Sequence, residues 1–109
     1  MDNVKDDSYY VDKLKTDLAF ISLHMSGKSR EDFDADEVLQ DSMMFRLIQI
    51  SENAKKVSAE FKALHGDIPW VDVYGLRNRI VHEYGNVDLS IVYDTLVYDI
   101  PDFLRKLNS

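Results

Sequence analysis

The sequence predicts an all-α fold, an up-and-down antiparallel bundle of four to five helices. Three observations predict it. Apolar residues recur three and four positions apart through every long segment, the period of a helix with one buried face. No segment alternates apolar and polar residues with the two-residue period of a strand, and no motif repeats along the chain. All four glycines fall at or near the boundaries this pattern sets. With 109 residues, 45% of them hydrophobic, the chain is long enough for one core and too short for two, so a single domain over 1–109 is expected.

The first helix is expected from near Ser8, with Ser8 as N-cap behind Asp6 and Asp7, and it ends at Gly27. Its apolar stripe is Val11, Leu14, Leu18, Ile21 and Met25, widened by Tyr10 and Phe20. Residues 28–36 read as a polar connection whose Phe33 returns to the core and whose Asp34 or Asp36 caps the next helix. One long helix is then expected from about Asp36 to Leu64. Met43, Leu47, Ile50, Ala54, Val57, Phe61 and Leu64 keep the four-three alternation of antiparallel bundles. Met44 and Ile48 broaden that stripe toward a second packing face or a subunit contact. Glu52 lies among apolar neighbours, either exposed or turned toward Arg77 or Arg79.

Gly66 stops this helix, and Pro69 suits the first turn of the next. There Trp70, Val73 and Leu76 make the buried face, and the helix either continues through Gly75 or breaks at it. Asn86 or Asp88 caps the last helix, whose stripe is Leu89, Val92, Leu96, Ile100, Phe103 and Leu107. Pro101 within that stripe is expected to bend or restart the helix, because proline has no N–H for the preceding turn.

Composition excludes several function classes. There is no cysteine, hence no disulfide, no thiolate nucleophile and no cysteine zinc site. The three histidines, at 24, 65 and 82, have no ligand spacing, so neither metal nor cofactor is expected. No apolar run reaches the length of a membrane span, and Met1-Asp2-Asn3-Val4-Lys5-Asp6-Asp7 has no apolar core of a secretion signal. A cytoplasmic domain with no membrane partner is the expectation. The net charge of −7 argues against a general nucleic-acid binder. The acids are unevenly spread, however. Between Lys28 and Asp41 two basic residues stand against six acidic ones, whereas between Tyr74 and Tyr84 two arginines face one glutamate. The acidic stretch reads as a solvated face, or as a docking surface for a basic partner.

The stretch from Gly75 to Gly85 concentrates the chemistry. It brings a cation, a carboxamide, an imidazole and a phenol together as Arg77, Asn78, His82 and Tyr84. On a helix Asn78 and His82, four apart, lie side by side, and Arg77 and Tyr84, seven apart, return to nearly one azimuth. The Arg77 fork suits phosphate oxygens. His82 has the free pKa nearest neutrality, as a general acid or base requires. Asn78 can fix the imidazole or donate to a phosphoryl oxygen. A cation beside an imidazole suits phosphodiester transesterification. On the other reading His82 serves only the last carbonyls of its helix, and Arg77 and Arg79 pair with nearby acids.

Arg77 followed by four residues, then His82, one residue and Tyr84, resembles the Arg-x4-His-x-Tyr signature of HEPN-domain proteins, in particular their HepT-like branch. Ile68-Pro69-Trp70 with Gly75-Leu76-Arg77-Asn78 resembles a run of that branch. Glu31-Asp32-Phe33, Ile50-Ser51-Glu52-Asn53-Ala54, Val92-Tyr93 and Asp99-Ile100-Pro101 extend the likeness over nearly the whole chain. Ser51 departs from the pattern, since many members carry Gly there, a difference that touches helix packing more than chemistry. The resemblance implies a homodimer, or a higher assembly of dimers, in which two copies of the motif line one cleft. It implies a metal-independent endoribonuclease acting on RNA, the toxin of a toxin–antitoxin pair. Its antitoxin would be a minimal nucleotidyltransferase that adenylylates the motif tyrosine. Carried over, Arg77 and His82 are the catalytic pair, Asn78 a supporting polar residue and Tyr84 the modified one. The acidic charge and few cations favour instead a catalytically silent module that recruits the nucleotidyltransferase or holds a nucleotide. A plain dimerisation domain is the third reading.

Overall fold

The computed structural model describes residues 6–82 and 88–109, with side chains throughout these ranges except at 79–82. Helix α1 spans Asp7–Met25, α2 Arg30–Asp34, α3 Glu37–Ala54, α4 Ala59–Leu64 and α5 Trp70–His82. Helix α6, Leu89–Asp94, runs through a π-helical turn, Thr95–Asp99, into α7, Ile100–Leu107. Four long rods, α1, α3, α5 and the α6–α7 run, with two short helices between them, make the all-α bundle. No strand occurs among the described residues.

Helix α1 starts slightly earlier than a Ser8 cap would set. The Asp6 carboxylate accepts from the Tyr9 amide at 3.2 Å, a better-placed cap than the Ser8 hydroxyl. The helix ends as expected at Gly27, whose φ of +75° is the only positive one among the described residues. The 28–36 connection contains a helix of its own. Ser29 and Asp32 form a reciprocal capping box, each side chain accepting from the other's amide at 3.0 Å, and α2 drives Phe33 fully into the core. Asp36, rather than Asp34, caps α3 through the Leu39 amide. The Gln40 amide donates to the Phe33 and Asp34 carbonyls, closing the end of α2.

The expected helix from Asp36 to Leu64 is two helices. The chain leaves α3 after Ala54 and restarts at Ser58, whose hydroxyl accepts from the Phe61 amide at 3.1 Å. Ser58 also donates its amide and hydroxyl to the Asp7 carboxylate at 2.8 and 2.6 Å, pinning the break to the start of α1. The apolar stripe survives the break because Val57 still reaches the core, but Leu64 ends up exposed. The helix restarts around Pro101, one of the two outcomes expected of it. The turn before it widens to π geometry, with the Ile100 amide donating to the Thr95 carbonyl five residues back. The proline then falls in the first turn of α7, where its missing donor costs little. Asp88 caps α6 through the Ser90 and Ile91 amides; Asn86, the other candidate, lies outside the described residues.

One continuous core joins these elements. Helix α3 lies between α1 and α5, and α1 also packs on α7. A partly buried ion pair crosses the α1–α3 contact, the Arg46 guanidinium meeting the buried Asp17 at 2.7 Å while lying 3.8 Å over the Phe20 ring. Arg30 joins α2 to α6, donating to the Ser90 carbonyl and hydroxyl and to Asp94. That carboxylate raises the arginine pKa above its usual value. Among the described residues no helix is long and apolar enough to cross a membrane.

Candidate active site

Helix α5 carries Arg77, Asn78 and His82, and its anchoring decides which way the described side chains face. Trp70, Val73 and Leu76 are buried as the spacing predicts; burial of residues like Val73 and Leu76 contributes about 1.5–3 kcal/mol each. Trp70 packs edge-on against Phe103 of α7 and donates its indole N–H to the His65 carbonyl. On the α3 side Ser51 is fully buried, and its hydroxyl donates to the Tyr74 carbonyl at 2.9 Å. The helix passes through Gly75 without a break and continues to His82.

With the buried stripe against the core, Asn78 is left exposed and Arg77 half-exposed on the flank nearest α3. There Glu52 meets it, Oε2 standing 3.2 Å from the Arg77 Nε and 3.7 Å from the Lys55 ammonium. Glu52 therefore takes the inward role left open by its position, although its side chain stays half-exposed. Contact through Nε leaves the terminal nitrogens of the guanidinium unengaged among the described residues, so the fork that suits a phosphate is available. The Asn78 carboxamide makes no side-chain hydrogen bond among those residues.

His82 is the last residue of α5, so its four-residue relation to Asn78 holds on the backbone; its side chain is outside the described part, and Tyr84 lies wholly outside it. Five residues turn a helix by about 140° and advance it about 7.5 Å, so Arg77 and His82 diverge around α5 rather than share a face. Asn78, between them in azimuth, is nearer His82. Spacing alone brings Asn78 and His82 together but not the expected catalytic pair.

A cleft of about 300 Å³ lies on another side of α5, between it and α7. Val73, Leu76, Ile100 and Phe103 floor it, and Asp72, Asp99 and Asp102 line it. Neither Arg77 nor Asn78 lines it, and of its three carboxylates Asp102 is paired with Arg105 and Lys106. Lys106 and Arg105 hold the Asp102 carboxyl below the usual carboxylate range. Among the described residues no three His, Cys, Asp or Glu side chains converge as metal ligands would.

The model of the ribonuclease HepT-like family matches residues 14–109, a span that takes in α2 to α7 and most of α1. The chain belongs to that family. This HepT-like chain is 30% identical over 98 residues to a protein of Caldanaerobacter subterraneus subsp. tengcongensis provisionally named an RNase, covering 90% of this chain and 88% of that one. It is 34% identical over 76 residues to a protein of Thermococcus cleftensis provisionally named ribonuclease HepT, covering 70% and 69%. A protein of Methanocaldococcus jannaschii, named as a gamma-glutamylcyclotransferase and provisionally an RNase, is 28% identical over 103 residues. That match covers 94% of this chain and 46% of the longer protein. No solved structure matches the chain significantly.

Sequence reasoning offered Arg77 or Arg79 as a partner for Glu52, and the structure supplies Arg77, but Lys55 was missed as the second cation on that carboxylate. The signal was present, since Glu52 and Lys55 are three apart on a helix.

Proposed function

We propose that this HepT-like chain is the toxin of a toxin–antitoxin pair, a metal-independent endoribonuclease. The observation that carries the reading is the half-exposed Arg77 guanidinium, which meets Glu52 through Nε and is followed on α5 by an exposed Asn78. Arg77 binds the scissile phosphate. The His82 imidazole takes the proton from the ribose 2′-hydroxyl, whose oxygen attacks phosphorus as the bond to the 5′-oxygen breaks. The products are a 2′,3′-cyclic phosphate and a 5′-hydroxyl, whose proton comes from an acid on the leaving-group side. Because Arg77 and His82 diverge around one helix, a homodimer that apposes two α5 helices supplies the complementary pair. Its second His82 serves as that acid.

On this reading a minimal nucleotidyltransferase transfers AMP from ATP to the Tyr84 hydroxyl, releasing pyrophosphate. The new phosphodiester places negative charge and bulk beside Arg77 and His82, where it repels and blocks an RNA phosphate. The other reading, a silent module that recruits the nucleotidyltransferase or holds a nucleotide, draws on the net charge of −7 and on the Glu52 carboxylate already neutralising Arg77.

Growth after induction of the wild-type chain and of His82→Ala, each without antitoxin, separates the two, followed by RNA cleavage in a chelator. The ribonuclease reading expects toxicity and chelator-resistant cleavage that drop by about 10²–10⁴-fold in His82→Ala. Tyr84→Phe should cleave normally yet resist the antitoxin. Equal, harmless behaviour of wild type and His82→Ala, with the dimer intact, would establish the binding module instead. Full neutralisation of Tyr84→Phe would replace modification by simple binding.

A further inference from the structure

We propose that the shoulder formed by the end of α3, helix α4 and the start of α5 carries the RNA strand away from Arg77, with Lys55, Lys56 and Lys62 as its phosphate contacts. The proposal rests on the ribonuclease reading and extends it to how the substrate lies on the protein.

Charge is segregated along this chain. Residues 42–82 carry six Lys and Arg against four Asp and Glu, whereas residues 1–41 carry five against eleven and residues 83–109 two against five. Of the cations in that stretch, Arg46 is turned to Asp17 on α1, whereas Lys55 and Arg77 meet at Glu52.

Within that stretch the lysines continue outward from Arg77. Lys55 and Arg77 contact the same oxygen of Glu52, so the two cations stand close enough to meet neighbouring phosphates of one strand. Lys56 follows at the exposed end of α3, its ammonium 5.7 Å from the Tyr10 ring centroid. Lys62, on α4, lies 4.6 Å from the Tyr74 ring centroid and 5.7 Å from that of Trp70. Among the described residues no carboxylate comes within ion-pair distance of Lys56 or Lys62. Aromatic faces hold these ammonium groups without neutralising them, so their charge remains available to a phosphate.

Three acids border this shoulder: Glu52, which engages Lys55 and Arg77, Glu60 in the first turn of α4, and Asp7, which feels the charge of Lys62 while both its oxygens accept from Ser58. Tyr74 precedes Arg77 by one turn of α5 and is only partly buried. Ammonium groups interleaved with partly exposed rings suit a single strand, whose backbone follows the cations while its bases stack. The carboxylates of Asp72 and Asp99 on another side of α5 disfavour that path and leave the shoulder as the exit.

The test compares the full-length wild type with Lys55→Gln/Lys56→Gln/Lys62→Gln on a labelled single-stranded RNA oligonucleotide at 50 and 200 mM salt. A control, Lys13→Gln/Lys15→Gln/Lys28→Gln, removes the same charge from the acidic part. Each single-strand phosphate contact contributes about 0.7 to the slope of log affinity on log salt, so three contacts make the fourfold salt rise cost the wild type about 20-fold more affinity than the triple variant. Expected at 50 mM salt are a raised KM and an unchanged kcat for the shoulder variant, and a KM within about twofold of wild type for the control. Circular dichroism checks the fold, and Lys56→Gln alone, with about a 2.6-fold smaller salt effect, serves if the triple variant is unstable. A shoulder variant with wild-type KM and salt slope overturns the proposal while wild-type cleavage still upholds the ribonuclease reading. Equal losses in shoulder and control also overturn it, as does escape of the shoulder variant from the antitoxin with RNA kinetics intact. A wild type that does not cleave overturns both readings together.

Discussion

Ser51 is the small residue on which the placement of Arg77 depends, and substituting it tests the α3–α5 contact directly. The side chain has no exposed surface, and its hydroxyl donates to the Tyr74 carbonyl one turn before Arg77. Ser51→Ala removes that bond, costing about 1 kcal/mol, and recovers about 0.5 kcal/mol through the better helix propensity of alanine. The net loss should be about 0.5 kcal/mol. Ser51→Leu loses the same bond and forces extra carbons into a closed contact, an overpacking cost of about 1–3 kcal/mol, for a total of about 2–4 kcal/mol. The helix that must yield is α5, so Arg77 moves away from Glu52. Urea unfolding followed by far-ultraviolet circular dichroism measures both variants, and cleavage kinetics on the still-folded protein measures the displacement. The expected result is wild-type kcat/KM for Ser51→Ala and a severalfold drop for Ser51→Leu beyond any loss of folded protein. If Ser51→Leu proves as stable and as active as Ser51→Ala, the contact is looser than described and the placement argument fails.

Two further expectations concern the α1 side of the bundle. Asp17 is 4% exposed and paired with Arg46, so Arg46→Met should cost about 3 kcal/mol by stranding a buried carboxylate. Adding Asp17→Leu should restore most of that loss; strict additivity of the two changes in urea unfolding would contradict a partly buried pair. The Ser58 hydroxyl and amide lower the pKa of Asp7 below its ordinary 3.8. A lowered folded pKa contributes stability that is present above 3.8 and lost as pH falls through the folded value. Asp7→Asn should therefore flatten the acid limb of a stability profile taken from about pH 6 down to about 2. Parallel wild-type and variant profiles would show that Ser58 does not favour the carboxylate.

The sequence by itself determined the helical class, the buried stripes and most helix boundaries. These depend on local period, on capping chemistry such as Asp36 and Asp88, and on the left-handed turn at Gly27. It also determined the family, through Arg77, Asn78, His82 and Tyr84 in a fixed spacing. Where it erred, a local rule met a distant partner. The stripe from Met43 to Leu64 has the pattern of one helix, because nothing near Ser58 reveals that Asp7, fifty-one positions away, binds its amide and hydroxyl. Pro101 does mark the restart of the last helix, but a local rule does not reveal that the turn before it widens to π geometry. The tertiary structure chose Arg77 among the alternatives left open for Glu52, and it alone buried Asp17 against Arg46 and gathered Lys55, Lys56 and Lys62 beside α5. Helical period fixes which residues share a face, whereas opposing charges meet only after separate helices pack. A site built from α3, α4 and α5 is therefore a property of the packing, not of any one segment.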